Sequence, residues 1–316
     1  MWFAHLLIYY TILLSFLFAF KTKYKSVMKN IYIFLMAGFM IFFSTLRYPK
    51  YGTDTLSYLD ILQKLSSGYN YTDLVLYEPG FLLFTKFISL FTLNFQIYLL
   101  IVNLIIFYVV FDFIIKYSSS IWLSVFLVIG MEYYDQSMNL LRQILALILV
   151  LSSYKYLINK KYIVFFIYIL IASQFHYTSF VFVVTVLLHR ITISKKNVLI
   201  YFMILVVSFM FSGTILNYVM SQMNIYDQYL ESDYYNIVDE PKLACILHLL
   251  IDLSILLLGY ISKCYAKTEL SRSLDNNFMM KLIMIGSIFW ALSVNFSTIG
   301  RVAMYFDVFS IVFIPN

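Results

Sequence analysis

The sequence predicts an all-α, polytopic membrane protein with about eleven transmembrane helices. Three observations predict it. Of 316 residues, 62% are hydrophobic and only 12% charged, and the mean hydropathy is +0.86, too little polar surface to coat a soluble domain of this size. Apolar stretches recur along the chain with short polar segments between them. The 31 Phe and 29 Tyr suit helices that meet both hydrocarbon and the two interfaces. Net charge is +6, but the basic residues sit in short loops, so the excess reads as a topology signal and no nucleic-acid partner is expected.

Taken in order, residues 2–20 are apolar and are followed by Lys21, Lys23, Lys25 and Lys29. A secretory signal has its charge before the apolar core, so this order predicts a retained first span with its N-terminus outside. Further spans are expected at 30–46, 95–115, 121–134, 140–157, 162–174, 177–188, 198–214, 244–262, 279–297 and 302–314. Residues 79–93 are apolar but short, and carry Lys86. If they do not cross, only Arg47, Lys50, Lys64, Lys86, Arg142, Lys242 and Arg301 of the 22 basic residues lie outside. If they cross, the lysines after the first span face away from most of the basic residues that follow. The positive-inside rule prefers the first arrangement: N-terminus outside, C-terminus inside, and 79–93 an interfacial helix. A twelfth span at 79–93 is the alternative. Residues 47–94 then form a first extracytoplasmic loop with interfacial helices and 215–243 a second. No repeat or linker divides 1–316, so a single integral membrane domain is expected.

Candidate chemistry gathers in the outer segments. The first loop opens Arg47-Tyr-Pro-Lys-Tyr-Gly52-Thr53-Asp54-Thr55, with Tyr58 one turn on, and closes Tyr77-Glu78-Pro79-Gly80-Phe81. Asp54 and Glu78 each precede a helix, so helix capping competes with acid–base work. Arg142 and Gln143 follow Asp135 and Asn139 at the start of a span, where an arginine either snorkels or binds an anion. His176, in Gln174-Phe175-His176-Tyr177-Thr178-Ser179, faces headgroups or moves protons. Ser297-Thr298-Ile299-Gly300-Arg301 joins the last two spans, with Tyr305 and Asp307 beyond it. Asp252 and Asp307 are expected as intramembrane acids, either functional or paired with an arginine. Cys245 and Cys264, about 28 Å apart on one predicted helix, form no disulfide and no metal site. There is no Walker A, dinucleotide fingerprint, HExxH or GxSxG motif, so ATPases, Rossmann oxidoreductases, zincins and hydrolases with that nucleophile elbow are set aside. No cofactor and no metal are expected.

In this order, Arg47…Gly52-Thr53-Asp54-Thr55…Tyr58, Glu78-Pro79-Gly80-Phe81, Arg142-Gln143…Ala146, Phe175-His176 and Gly300-Arg301…Tyr305 resemble the EpsG family. These are Wzy-like polymerases of bacterial exopolysaccharide and capsule. The resemblance implies polymerisation of undecaprenyl-pyrophosphate-linked oligosaccharide repeat units at the outer face of the bacterial cytoplasmic membrane. It also implies other polysaccharide-assembly proteins as further partners. An early outer loop with an acid after a span and interfacial helices is similar to GT-C glycosyltransferases. The chain ends at Ile314-Pro315-Asn316, where family members usually continue, so one further terminal helix is expected in a complete member.

The expected roles follow from this chemistry. Asp54, Glu78 and His176 are the candidate catalytic groups. Arg47, Tyr58, Arg142, Gln143, Arg301 and Tyr305 are the candidate substrate-binding groups, with Arg142 and Arg301 assigned to the pyrophosphate. Tyr226, Tyr229, Tyr234 and Tyr235 either stack on sugars or anchor at headgroups. A flippase of lipid-linked saccharide, a polysaccharide ligase, an acyltransferase and a non-catalytic scaffold remain alternatives. The polar groups collect at one predicted face, which favours an enzyme over a transporter.

Overall fold

The computed structural model describes residues 9–15, 25–48, 52, 54–67, 77–221, 242–265 and 270–316, and every regular element among them is helical. Tyr226, Tyr229, Tyr234 and Tyr235 lie outside the described residues. The chain divides into two compact units, residues 1–180 with 315–316, and residues 181–314.

The first unit contains α1 (Lys25–Thr45), α2 (Thr55–Ser66), α3 (Pro79–Ser89), α4 (Phe95–Tyr117), α5 (Ile121–Gly130), α6 (Tyr133–Asn139), α7 (Leu141–Ile158) and α8 (Tyr162–Ser173). Asn94 starts α4 by accepting from the backbone N–H groups of Gln96 and Ile97, which satisfies two donors the helix cannot use itself. Helix α4 packs on α1 and α7, and α7 on α8. Tyr98, Phe107, Tyr134, Tyr154 and Phe165 fill the core. Two of its polar side chains reach partners: Tyr134 donates to the Met40 carbonyl at 3.0 Å, and Asn103 Nδ2 to Thr45 Oγ1 at 3.3 Å. Between α5 and α6, Glu132 takes a left-handed conformation (φ 65), which ends the apolar run of α5.

The second unit contains α9 (Lys195–Met210), α10 (Ser212–Ser221), α11 (Lys242–Tyr265), α12 (Leu270–Ser293), α13 (Gly300–Asp307) and α14 (Ser310–Phe313). The division falls within a 3-10 helix, Tyr177–Arg190. Helix α12 is central and packs on α9, α11 and α13. Leu205, Leu249 and Ala291 form a small core with Tyr201, Leu253 and Trp290 against it.

Four helices are long and apolar enough to cross a membrane among the described residues: Val27–Thr45, Phe95–Tyr117, Leu141–Ile158 and Lys242–Ser262. This overturns the expected fold of about eleven or twelve spans with a GT-C-like arrangement. Hydropathy counts apolar residues, whereas crossing requires an unbroken helix of about 20 of them. Ile121–Gly130 has 10 residues and Tyr162–Ser173 has 12, so at 1.5 Å per residue they reach about 15 and 18 Å, against a hydrocarbon core of about 30 Å. The expected span 198–214 breaks at Phe211 between α9 and α10, and 302–314 breaks between α13 and α14. Helix α12 is long, but it carries Arg272, Asp275 and Lys281.

The helices nonetheless bear unpartnered apolar faces. Leu243, Leu247, Leu250, Ile251, Leu257 and Leu258 are exposed along α11. Such a face is at home in hydrocarbon and costly in water.

Candidate active site in the first unit

Three chain segments build one polar cluster around Glu78. The first is the start of α3. Glu78 is its N-cap in extended conformation, and Pro79 opens the helix with φ already suited to it. The Glu78 side chain makes no capping hydrogen bond. Its carboxylate is committed elsewhere: Oε2 accepts from Arg142 Nη1 at 2.5 Å, and Oε1 lies 2.8 Å from His176 Nδ1.

The second segment is the turn after α8. The backbone N–H of His176 donates to the Ala172 carbonyl at 3.0 Å, which ties the histidine to the end of that helix. The Gln174 carbonyl accepts from Phe81 N–H at 3.1 Å, so this turn also caps the start of α3. Gly80 makes the approach possible. A Cβ there would lie 2.6 Å from Gln174 Cβ and 2.7 Å from its carbonyl oxygen. Phe84 and Phe175 close the contact edge to face at 5.8 Å. The Glu78-Pro-Gly-Phe and Gln-Phe-His motifs, separate in sequence, are therefore one structural unit.

The third segment is the junction of α6 and α7. Leu140 (φ −103, ψ 53) breaks the helix, so α7 restarts at Leu141 and Arg142 lies in its first turn. A cation is disfavoured at a helix N-terminus, and the Glu78 carboxylate offsets this locally. The Tyr58 hydroxyl hydrogen-bonds the guanidinium and donates to the Asn139 carbonyl at 3.3 Å. Tyr77 lays its ring 4.9 Å from the guanidinium carbon.

Burial sets the electrostatics. The Glu78 side chain is 5% exposed, His176 18% and Arg142 23%. Burial alone would raise the Glu78 pKa, but the His176 hydrogen bond and the Arg142 charge outweigh it and hold the carboxyl below its usual range. Glu78 is therefore a carboxylate at neutral pH. A carboxylate accepting at Nδ1 fixes the histidine tautomer with its proton there and leaves the Nε2 lone pair to accept. Burial, with the Asp54 charge nearby, raises the Tyr58 phenol, which stays protonated.

The structure thus brings together Glu78, His176, Arg142 and Tyr58. Asp54, half-buried at the start of α2, makes no side-chain cap and acts on Tyr58 through its charge. Arg47 is buried, donates from Nη1 to the Ser44 carbonyl at 2.7 Å, and its charge reaches the Tyr98 hydroxyl. Gln143 is buried beside Arg142 on α7. Arg301 and Tyr305 belong to the second unit, exposed and fully buried respectively on α13. Sequence reasoning missed Tyr77, whose only signal was its place beside Glu78. It also missed the Gly80–Gln174 contact, which no local pattern announces. Among the described residues no group of three or more His, Cys, Asp or Glu side chains could hold a metal ion.

These features define an apolar helical membrane protein with a buried acid–histidine–arginine cluster. The EpsG family model matches residues 30–316, and the chain belongs to the EpsG family. No curated protein and no solved structure matches it. Family membership, with its apolar helices, gives the protein a membrane-associated, polysaccharide-related role of a broadly polymerase-like kind.

Proposed function

We propose that the protein is a glycosyltransferase that polymerises undecaprenyl-pyrophosphate-linked oligosaccharide repeat units at the outer face of the cytoplasmic membrane. The observation that carries this reading is the Glu78 carboxylate joined at once to His176 and to Arg142. The arrangement provides a base and a cation within one cluster, which are the two groups that transfer from a pyrophosphate requires.

In this mechanism Glu78 orients His176, and Nε2 takes the proton of the acceptor sugar hydroxyl. The hydroxyl oxygen bonds to the anomeric carbon of the donor as the bond from that carbon to the pyrophosphate oxygen breaks. The bonding pair leaves on the lipid pyrophosphate, whose growing charge is stabilised by Arg142. Tyr58 and Tyr77 hold the Arg142 fork in position, with Gln143, Arg47 and Asp54 supporting the surrounding polar surface, and Tyr305 anchors α13.

The test is reconstitution of the full chain with lipid-linked repeat units. A ladder of longer glycans is expected, and Arg142→Ala should abolish it while the protein still inserts. Translocation of the lipid-linked saccharide without chain growth would replace this reading with a flippase. Labelling of a cysteine placed at position 54 from the outer side tests the face, and protection from the reagent would refute it.

A further inference from the structure

Helix α2 touches the segments that carry both partners of the Arg142–Glu78 ion pair. Its inward residues, Thr55, Tyr58, Ile61, Leu62 and Leu65, are all buried and recur at the spacing of one helix face.

On one side the first turn of α2 meets the end of α6. A helix cannot satisfy its own last carbonyls. Those of Met138 and Asn139 accept from Thr55 Oγ1 at 3.4 Å and from the Tyr58 hydroxyl at 3.3 Å, two donors one turn apart on α2. Gly52 (φ 93) backs onto the Asn139 side chain, since a Cβ there would overlap Asn139 Oδ1 and stand 3.2 Å from Thr55 Oγ1. The start of α6 is tied to α1, through the Tyr134 hydroxyl and the Met40 carbonyl. Helix α6 is thus held at both ends. The turn at Leu140, two residues before Arg142, starts from a fixed point.

On its other side α2 sits on α3. The Tyr58 and Phe81 rings meet edge to face at 5.7 Å. Lys86 Nζ donates to the Leu65 carbonyl at 2.6 Å, at the C-terminal end of α2, where a cation is favoured. That contact gives the lysine a task in an otherwise apolar helix. Lys86 belongs to the same helix that Glu78 caps.

We propose that α2 is a spacer that sets the reach from Arg142 to Glu78, with Thr55 and Lys86 as its positioning residues. Thr55 fixes where α7 restarts, and Lys86 fixes α2 on the helix that Glu78 opens. Neither side chain meets substrate; both act through the ion pair. The spacer stands on the geometry of the first unit, and its bearing on catalysis rests on the proposed transfer.

The test is the reactivity of Arg142 towards phenylglyoxal in the full chain in detergent, read as adduct on its peptide by mass spectrometry. Thr55→Val keeps the shape of the side chain and removes the donor. Loss of one neutral hydrogen bond shifts a two-state population by about two- to ten-fold, so Arg142 labelling should rise by roughly that factor. Thr55→Ser should restore the wild-type rate. Lys86→Met, which releases the other end of α2, should raise labelling as well. Arg47, buried just beyond α1, is the internal reference and should label at the wild-type rate in every variant. Unchanged Arg142 labelling in Thr55→Val overturns the inference, and so does a parallel rise at Arg47, which would mark general loosening. Should Thr55→Val fail to fold, Lys86→Met decides by the same two readings. No substrate is needed, so a wild type that forms no glycan ladder counts against the transfer alone.

Discussion

Replacing Glu78 by Gln keeps the shape of the side chain and removes its charge. In the native cluster that charge serves two partners, Arg142 at 2.5 Å and His176 at 2.8 Å, and none of the three side chains is more than a quarter exposed. Solvent screening is therefore modest, unlike at the exposed Lys64–Asp60 pair. Removing one partner of a buried pair costs about 3–5 kcal/mol. The amide of Gln still offers one acceptor, so the lower end, about 3 kcal/mol, is expected. The pH dependence has a fixed sign. Folding lowers the Glu78 pKa, so its stabilisation is complete above the unfolded carboxyl value of about 4.3 and is lost as the pH falls through the lower folded value. The variant should lack this acid-side loss. Unfolding in detergent, followed at neutral and mildly acidic pH, measures both effects, and the glycan ladder measures turnover. A variant as stable as the wild type at neutral pH, with the same acid limb and a full ladder, would refute the cluster as both scaffold and machinery.

The other substitutions separate roles within the cluster. His176→Asn retains a donor where Nδ1 stands but has no Nε2, so a loss of about 10²–10⁴ in kcat with little change in unfolding is expected, and an unchanged pH profile of the rate would exclude His176 as the base. Arg142→Lys keeps the charge but not the planar fork that meets Glu78 and Tyr58; each charged hydrogen bond lost costs about 1.5–3 kcal/mol, and a titration of ladder formation against donor concentration reads the defect. Gly80→Ala drives a methyl group into Gln174 and should destabilise by about 1–3 kcal/mol, with His176 displaced; an undisturbed histidine resonance in magnetic resonance spectra would argue against that coupling.

The helical, membrane-associated character was legible because composition acts on every residue alike: a chain this apolar has few ways to avoid lipid. The number of spans was not, because hydropathy does not register the backbone breaks. The breaks at Phe211 and at Val308–Phe309 cut apolar runs that read as continuous. Phe211, Val308 and Phe309 are neither Gly nor Pro, so propensity alone does not announce those breaks. Four of the nine expected site residues, Glu78, His176, Arg142 and Tyr58, do meet, although they come from separate segments. Their residue types were readable as chemistry, but their pairing was not. Nothing local distinguishes a Glu that caps a helix from one that turns away to bind an arginine 64 positions on.

That ambiguity has a physical source. An acid before a helix is favoured by the positive end of the helix whether or not its side chain caps. Glu78 uses this preference: the N-terminus of α3 helps to keep the carboxylate charged, while the oxygens are free to face outwards because the Gln174 carbonyl takes the Phe81 donor. The backbone therefore supplies the capping that the side chain would otherwise provide, and the carboxylate is released for His176 and Arg142. The requirement for glycine at position 80 follows, since only a bare Cα lets the Gln174 carbonyl come close enough. In this cluster the glycine and the glutamate are two parts of one device, and substituting either should disturb the same histidine.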